Sequence, residues 1–427
     1  MKENFLLPLL ALAGIVSLLA GCSPKPESTP SASDVTTVYR CEDSPTGYYA
    51  TFCFPDANYA KVTIQGEWVF SDCADASVKT SSNAGPLQWK NGYVQWNTTA
   101  QPHYDMKLCG GVWKITLPLP CGTYKYKFFA DGKEYWDSAN PPRNRGLDAP
   151  DLGNEDRYST VYVPYDSVRQ SRSEDRSIEA PTAKHKGTYS FVEIPSSASG
   201  EPLRFGIYLP YGFEANRKEP YPVLVLYHGG GGTEASWINN GLADIVDNLN
   251  EQGLSAEPTV ILTPNGSPFF RGRREELDKA VLGDILPYAV EHYNVSTDPS
   301  KRAFAGLSMG GATTMFTLLN HPGEFQYYFA MSAPVTTDID LGLFANEALR
   351  SKDICLAVGM YDFVKVEALL NPDSHQARSG ERSFYAYEFA MFANGVPFKT
   401  MPEYANGHDW VLWRRHIAEY LKNYLWR

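Results

Sequence analysis

The chain has 427 residues, 43% of them hydrophobic and 20% charged, with a formal net charge of −11. That length exceeds one ordinary core and suits two domains, and the composition is that of a folded globular protein. No long Lys/Arg run occurs, which argues against nucleic acid as a partner, because phosphate binding needs a concentrated positive field.

The first element is an address. Lys2 precedes an apolar run from Phe5 to Ala20, and the run ends in Leu19-Ala20-Gly21-Cys22. Pro8, Gly14 and the small residues fit a secretory signal over residues 1–21 better than a spanning helix. The last four residues resemble a bacterial lipobox, which implies cleavage before Cys22, a lipid on its thiol and a membrane partner reached through that anchor. The chain is then expected to be an outer-membrane lipoprotein, facing the periplasm or the cell surface. A plain signal peptide with an incidental Cys is the alternative. Residues 22–40 are mostly Ser, Thr and Pro at their start and read as a disordered tether.

Five cysteines (Cys41, Cys53, Cys73, Cys109 and Cys121) fall in one N-terminal stretch. Outside the cytoplasm such clustering predicts disulfides, with at least one thiol left over. No CxxC pair or HExxH motif is present, so a zinc site has no support and no metal is expected.

Residues 41–165 carry strand signals. Lys61–Gln65 and Trp113–Leu117 alternate polar and apolar residues. Tyr124–Phe129 leads through Asp131-Gly132 into Lys133–Trp136, the pattern of a type I′ hairpin. The expectation is a small immunoglobulin-like β-sandwich. Phe54-Pro55-Asp56-Ala57, Val62–Trp68, Gly111-Val112-Trp113, Tyr124–Phe128 and Asp137–Pro141 together resemble the early-set, glycogen-branching-type carbohydrate-binding module. In such modules exposed aromatics stack on sugars. For Trp68, Trp113 and Trp136 taken singly, a place in the core is the stronger expectation.

Residues 166–186 turn polar and charged and read as a linker. From 187 to 427 short apolar strands alternate with helical periods. Strands are expected at Pro222–Tyr227, Pro258–Leu262, Arg302–Ala305, Tyr327–Met331, Ile354–Val358 and Phe398–Met401. Helices are expected at Arg274–Tyr293, Gly310–Leu319 and Trp410–Leu425. This alternation predicts an α/β fold, a mostly parallel sheet with helices on both faces. Its functional residues should follow the strands' carboxyl ends.

Three groups do. Gly306-Leu307-Ser308-Met309-Gly310 is a G-x-S-x-G motif between a strand and a helix, the setting of a nucleophile elbow. A serine hydroxyl needs a base. Of the eight histidines, His408 lies after the last expected strand and before the last helix. The base needs a carboxylate to fix its tautomer, and Asp362 follows a strand between Ser308 and His408 in the chain; Glu403 and Asp409 are its rivals. His228-Gly229-Gly230-Gly231-Gly232 offers backbone donors for an oxyanion. The expected pair is the N–H of Met309 with that of Gly229 or Gly230.

These residues resemble carbohydrate esterase family 1, which contains feruloyl and acetylxylan esterases, and are similar to siderophore esterases and esterase D. The likeness also rests on Trp237, Thr263-Pro264-Asn265-Gly266, Asp284–Tyr288, Gly407-His408-Asp409-Trp410 and Trp413. It implies an α/β-hydrolase fold and a Ser308/His408/Asp362 triad acting on a polysaccharide-linked or small ester, feruloyl or acetyl, without a cofactor. Trp237 and Trp410 are the candidate substrate-contacting aromatics. Residues 335–352 and the segment after Asp362 match only loosely, and they help to shape the acyl pocket. Two readings compete: a siderophore or other small-molecule esterase, and a non-catalytic glycan-binding lipoprotein with a relic hydrolase domain.

Overall fold

A computed structural model describes residues 35–55, 58–72, 84–95, 101–143, 158–198, 200–270, 272–365 and 382–427. The signal segment, Cys22 and Cys73 lie outside them.

The N-terminal strands are β1 (Thr37–Arg40), β2 (Tyr48–Phe54), β3 (Val62–Gly66), β4 (Phe70–Ser71), β5 (Val94–Gln95), β6 (His103–Asp105), β7 (Lys107–Cys109), β8 (Val112–Pro118), β9 (Gly122–Ala130), β10 (Lys133–Tyr135) and β11 (Ser159–Val163). They form two facing antiparallel sheets, β1-β2-β8-β7 and β10-β9-β3-β6, with β11 on β9 and a small β4-β5 pair. Alternation explains the arrangement: Tyr124, Tyr126 and Phe128 of β9 meet Phe52, Ile64 and Trp68 in one core. The β9–β10 turn has positive φ at both Asp131 (47°) and Gly132 (83°), as a type I′ hairpin requires.

Several expectations change here. β1 uses residues assigned to the tether, because Thr37-Val38-Tyr39-Arg40 has the β-branched and aromatic side chains that pair with β2. Trp68 is core, Trp113 is half-buried and Trp136 is exposed. The disulfide expectation fails for Cys109 and Cys121, which are free thiols. Cys109 closes an exposed hairpin. Cys121 is sealed against Tyr162 and the Arg176 backbone, and burial pushes its thiol up to about 11.

The linker is an ordered strap. Two 3₁₀ turns, Arg172–Glu174 and Ser177–Glu179, carry it past both domains. Gln170 Nε2 donates to Thr46 O at 2.6 Å, and Asn248 Nδ2 donates to Ala180 O at 2.6 Å. Its charged residues read as solvated in sequence, yet Arg176 and Glu179 are buried. Sandwich, strap and hydrolase domain belong to one compact unit, Ser33–Arg427.

The second domain is built on β12 (Thr188–Ile194), β13 (Leu203–Leu209), β14 (Val223–Tyr227), β15 (Val260–Pro264), β16 (Arg302–Leu307), β17 (Tyr327–Met331), β18 (Asp353–Ala357) and β19 (Lys399–Thr400). Their order is β12-β13-β15-β14-β16-β17-β18-β19. β12 and β13 are antiparallel and the rest of the sheet is parallel. This is the α/β-hydrolase fold. The strands β14 and β15 are buried throughout, as sheets covered on both faces demand. The helices are α1 (Ser236–Asn239), α2 (Leu242–Glu251), α3 (Arg274–Ala280), α4 (Leu286–Tyr293), α5 (Met309–Asn320), α6 (Tyr385–Ala393) and α7 (Trp410–Asn423). The single helix expected over Arg274–Tyr293 contains a π turn at Val281–Ile285 between α3 and α4. Pro287, without an N–H, cannot continue the α-helical ladder there.

From β14 the chain crosses to β15 on one side, and from β16 to β17 on the other. The switch point therefore lies between β14 and β16, where such sheets open a crevice at their carboxyl ends.

Candidate active site

Two loops flank that crevice. One follows β16: Ser308 takes φ 52° and ψ −119° between strand and α5, a strained conformation for a residue with a Cβ. Its neighbours must be glycine. A Cβ on Gly306 would stand 2.4 Å from the Gly310 backbone, and one on Gly310 would stand 2.4 Å from His228 O. The Ser308 N–H donates to Met331 O at 2.9 Å, which ties the elbow to β17.

The other loop follows β14. His228 is buried, and its Nε2 accepts from Gly266 N–H at 3.0 Å. Its proton therefore sits on Nδ1, which donates to Gly229 O at 2.7 Å. Burial drives the imidazole pKa down to about 4, so the ring stays neutral. Sequence reasoning treated His228 only as part of a Gly-rich loop; its two bonds, from Gly266 N–H and to Gly229 O, tie that loop to the segment after β15.

His408 joins the elbow to the third element. Its Nε2 lies 2.8 Å from Ser308 Oγ, and its Nδ1 lies 2.9 Å from Asp362 Oδ1. Phe363 and Trp413 flank the ring at centroid distances of 4.3 and 5.0 Å. Asp362 is fully enclosed. Burial raises its pKa, but the His408 charge and bonds from His408, the Ser332 hydroxyl and the Val364 N–H outweigh that effect and hold it below the usual carboxylate range. Asp362 is therefore ionised at neutral pH, as a partner for an imidazolium must be. Ser332, with φ 48°, accepts from Trp413 Nε1 at 3.0 Å. Neither residue carried a role in the sequence reading, and a lone Ser at a strand end gives no signal that would find it.

The rival carboxylates are occupied elsewhere. Glu403 pairs with Lys365. Asp409 caps α7 by accepting from Leu412 N–H at 2.9 Å. Ser308, Asp362, His408, Met309, Gly229 and Gly230 thus converge. Trp237 and Trp410 do not. They are 1% and 5% exposed, pack edge to face at 5.1 Å, and the Trp237 indole donates to Tyr227 O at 3.0 Å. Both wedge the sheet against α1 and α7; as substrate contacts they are corrected to core residues. Among the described residues no cluster of His, Cys, Asp or Glu has metal-binding geometry.

A family model described as "Putative esterase" matches residues 196–424. The chain belongs to this esterase family. The chain is 28% identical over 244 residues to the endo-1,4-beta-xylanase/feruloyl esterase of Xylanibacter ruminicola, a match covering 55% of this chain and 31% of that protein. It is 30% identical over 141 residues to endo-1,4-beta-xylanase Y of Acetivibrio thermocellus, covering 30% of this chain and 12% of that one. The chain thus spans a third or less of these relatives' own length. The crystal structure of the enterobactin esterase FES from Shigella flexneri superposes with a TM-score of 0.50 at 14% identity, over 92% of this chain and 96% of that one. That likeness is one of fold, and it extends over both domains.

Proposed function

We propose that the protein is a serine carboxylic-ester hydrolase that removes feruloyl or acetyl groups from plant hemicellulose. The observation that carries the reading is the unbroken relay from Ser308 Oγ through His408 to a buried, ionised Asp362. Ser308 Oγ attacks the ester carbonyl as His408 Nε2 takes its proton. The imidazolium, held by Asp362, then gives that proton to the leaving alkoxide. Water loses a proton to His408, attacks the acyl-enzyme, and releases the acid and Ser308.

The oxyanion donors in this reading are the N–H groups of Met309 and Gly230. Met309 is the first residue of α5, where an N–H has no intrahelical acceptor. Gly229 O is engaged by His228 and by Gly232 N–H at 3.2 Å, so the trans peptide turns the Gly230 N–H the opposite way. The His228 carbonyl faces Gly310, which turns the Gly229 N–H away from the elbow.

The xylanase-named relatives support a hemicellulose substrate. The lipobox-like Leu19–Cys22 supports an anchor on Cys22 and an outer-membrane location, periplasmic or at the cell surface. The β-sandwich is proposed as a carbohydrate-binding-type module on the likeness of its motifs to that family.

A fluorophosphonate probe should label the wild-type protein and leave Ser308→Ala unlabelled; equal labelling of the two would sink the catalytic reading. Turnover should be fastest on methyl ferulate or acetylated xylan. Preference for a catecholate siderophore would move the substrate to the small-molecule class, and trace rates on all three would remove the polysaccharide assignment.

A further inference from the structure

His408 and Asp362 sit on two loops that are laced together. Met360 N–H donates to Tyr404 O at 2.9 Å, and Tyr361 N–H donates to Asn406 O at 3.1 Å. Asn406, two residues before His408, is thus bonded through its carbonyl to Tyr361, the residue before Asp362. The approach is tight: a Cβ on Gly359 would lie 2.3 Å from Asn406 O. Asn406 is 1% exposed, and its side chain turns away from both loops. Its Nδ2 donates to the backbone carbonyl of Gln95, in β5 of the sandwich, at 3.2 Å.

Gln95 is itself fixed. It is buried, its Nε2 donates to Glu67 O at 2.7 Å, and its Oε1 accepts from Arg176 Nη1 at 3.0 Å. Elsewhere the sandwich touches the helix that follows His408, through β9. Arg414 Nη2 donates to Thr123 O at 3.0 Å, and Lys125 Nζ lies 5.8 Å from the Trp410 ring centroid.

We infer that Asn406 is a positioning residue and that the sandwich is a structural part of the active site, seating the His408 and Asp362 loops through the Gln95–Asn406 bond. The inference rests on the Ser308/His408/Asp362 reading. Its physical basis is the tolerance of the relay. Two hydrogen bonds of 2.8 and 2.9 Å depend on loops that carry no regular secondary structure of their own between Met401 and Asp409. A buried amide bonded to the fixed Gln95 of β5 holds them in register, and removing it leaves a carbonyl without its partner. The sandwich then matters for every substrate, not only for a polymer that it could also grip.

The test uses the full chain and a small soluble ester, p-nitrophenyl acetate, which offers the sandwich no glycan. Asn406→Ala and Asn406→Leu should each lower kcat by roughly tenfold or more, with KM changed less than threefold, since a small misplacement of a general base acts on the chemical step. The acid limb of the kcat/KM profile should also shift, because the Asp362–His408 contact sets it. Asn406→Leu keeps the bulk of the side chain, removes the donor to Gln95 O, and carries the same expectation if Asn406→Ala does not fold. Ser308→Ala is the control. If it is inactive while both junction variants keep wild-type kcat and pH profile, the positioning role is overturned and the triad stands. If Ser308→Ala turns over normally, the triad reading fails and this inference falls with it.

Discussion

Asp362 and Asp409 lie on either side of His408 in function as well as in chain position. Asp362 accepts from the imidazole at 2.9 Å, while Asp409 accepts from Leu412 N–H and starts a helix. Burial pushes Asp409 up to about 6, against its bond from Leu412 and the Arg414 charge, with Glu67 and Asp362 adding to the rise. The two should respond oppositely to the same substitution. Asp362→Asn should lower kcat by about 10⁴-fold, as loss of the tautomer-fixing carboxylate does. Asp409→Asn should leave kcat within about threefold and stability within about 1 kcal/mol, because Asn caps a helix as well as Asp. Steady-state kinetics and denaturant titration of the two variants measure both numbers. At this scale the sequence shows a good deal: chain order and strand ends pick out Ser308, Asp362 and His408. It does not show Asn406, Ser332 or the bonding of His228, because a single polar residue gains meaning only from what lies across the fold. Trp237 and Trp410 mislead for the converse reason. They belong to a recognisable pattern, but pattern does not say which way an indole points.

Between elements, α3 and α5 enclose a second acid. Asp278 is buried, accepts from Thr317 Oγ1 at 2.7 Å, and has His321 Nε2 at 3.6 Å from its other oxygen. Burial lifts its pKa from 3.8 to about 8, helped by Glu275 and opposed by the Thr317 bond and Arg274. A raised carboxyl pKa means the folded state binds a proton that the unfolded state has released. The stability Asp278 contributes is thus complete below about pH 4 and is lost as pH rises toward 8. Thermal midpoints across that range should fall less steeply for Asp278→Asn than for the wild type; parallel curves would mean that Asp278 is ionised in the fold. Elements of this kind were legible in part. The buried strands announce themselves as continuous apolar runs, and the Asp131-Gly132 turn by its chemistry. The antiparallel β12 and β13 do not stand out, since Gly206 and Arg204 interrupt their apolar pattern. The π turn inside the helix expected over Arg274–Tyr293 arises from Pro287, whose effect on a long amphipathic pattern is local.

Across the whole molecule the two domains are joined through charge as well as amide bonds. Arg414 of α7 donates to Glu179 of the strap at 2.9 Å, and both side chains are buried; Arg143 of the sandwich pairs with Asp244 of α2. Breaking the first pair by Arg414→Met alone should cost about 3–5 kcal/mol, because Glu179 would remain charged and enclosed. Adding Glu179→Leu should recover most of that loss. Equal melting of the single and double variants would show that Glu179 finds another partner or water. In sequence these residues sit in a stretch that looks like a solvated linker, since charge is read as exposure until a partner some 235 positions away supplies the compensation. The Gln95–Asn406 bond spans further still, 311 positions. Domains fold as units, and closing so long a loop costs entropy only as about (3/2)RT ln n, so the sandwich is able to form its own core before the His408 segment docks on it. A chain cut short before Gly407 would carry the proposed nucleophile with nothing to take its proton.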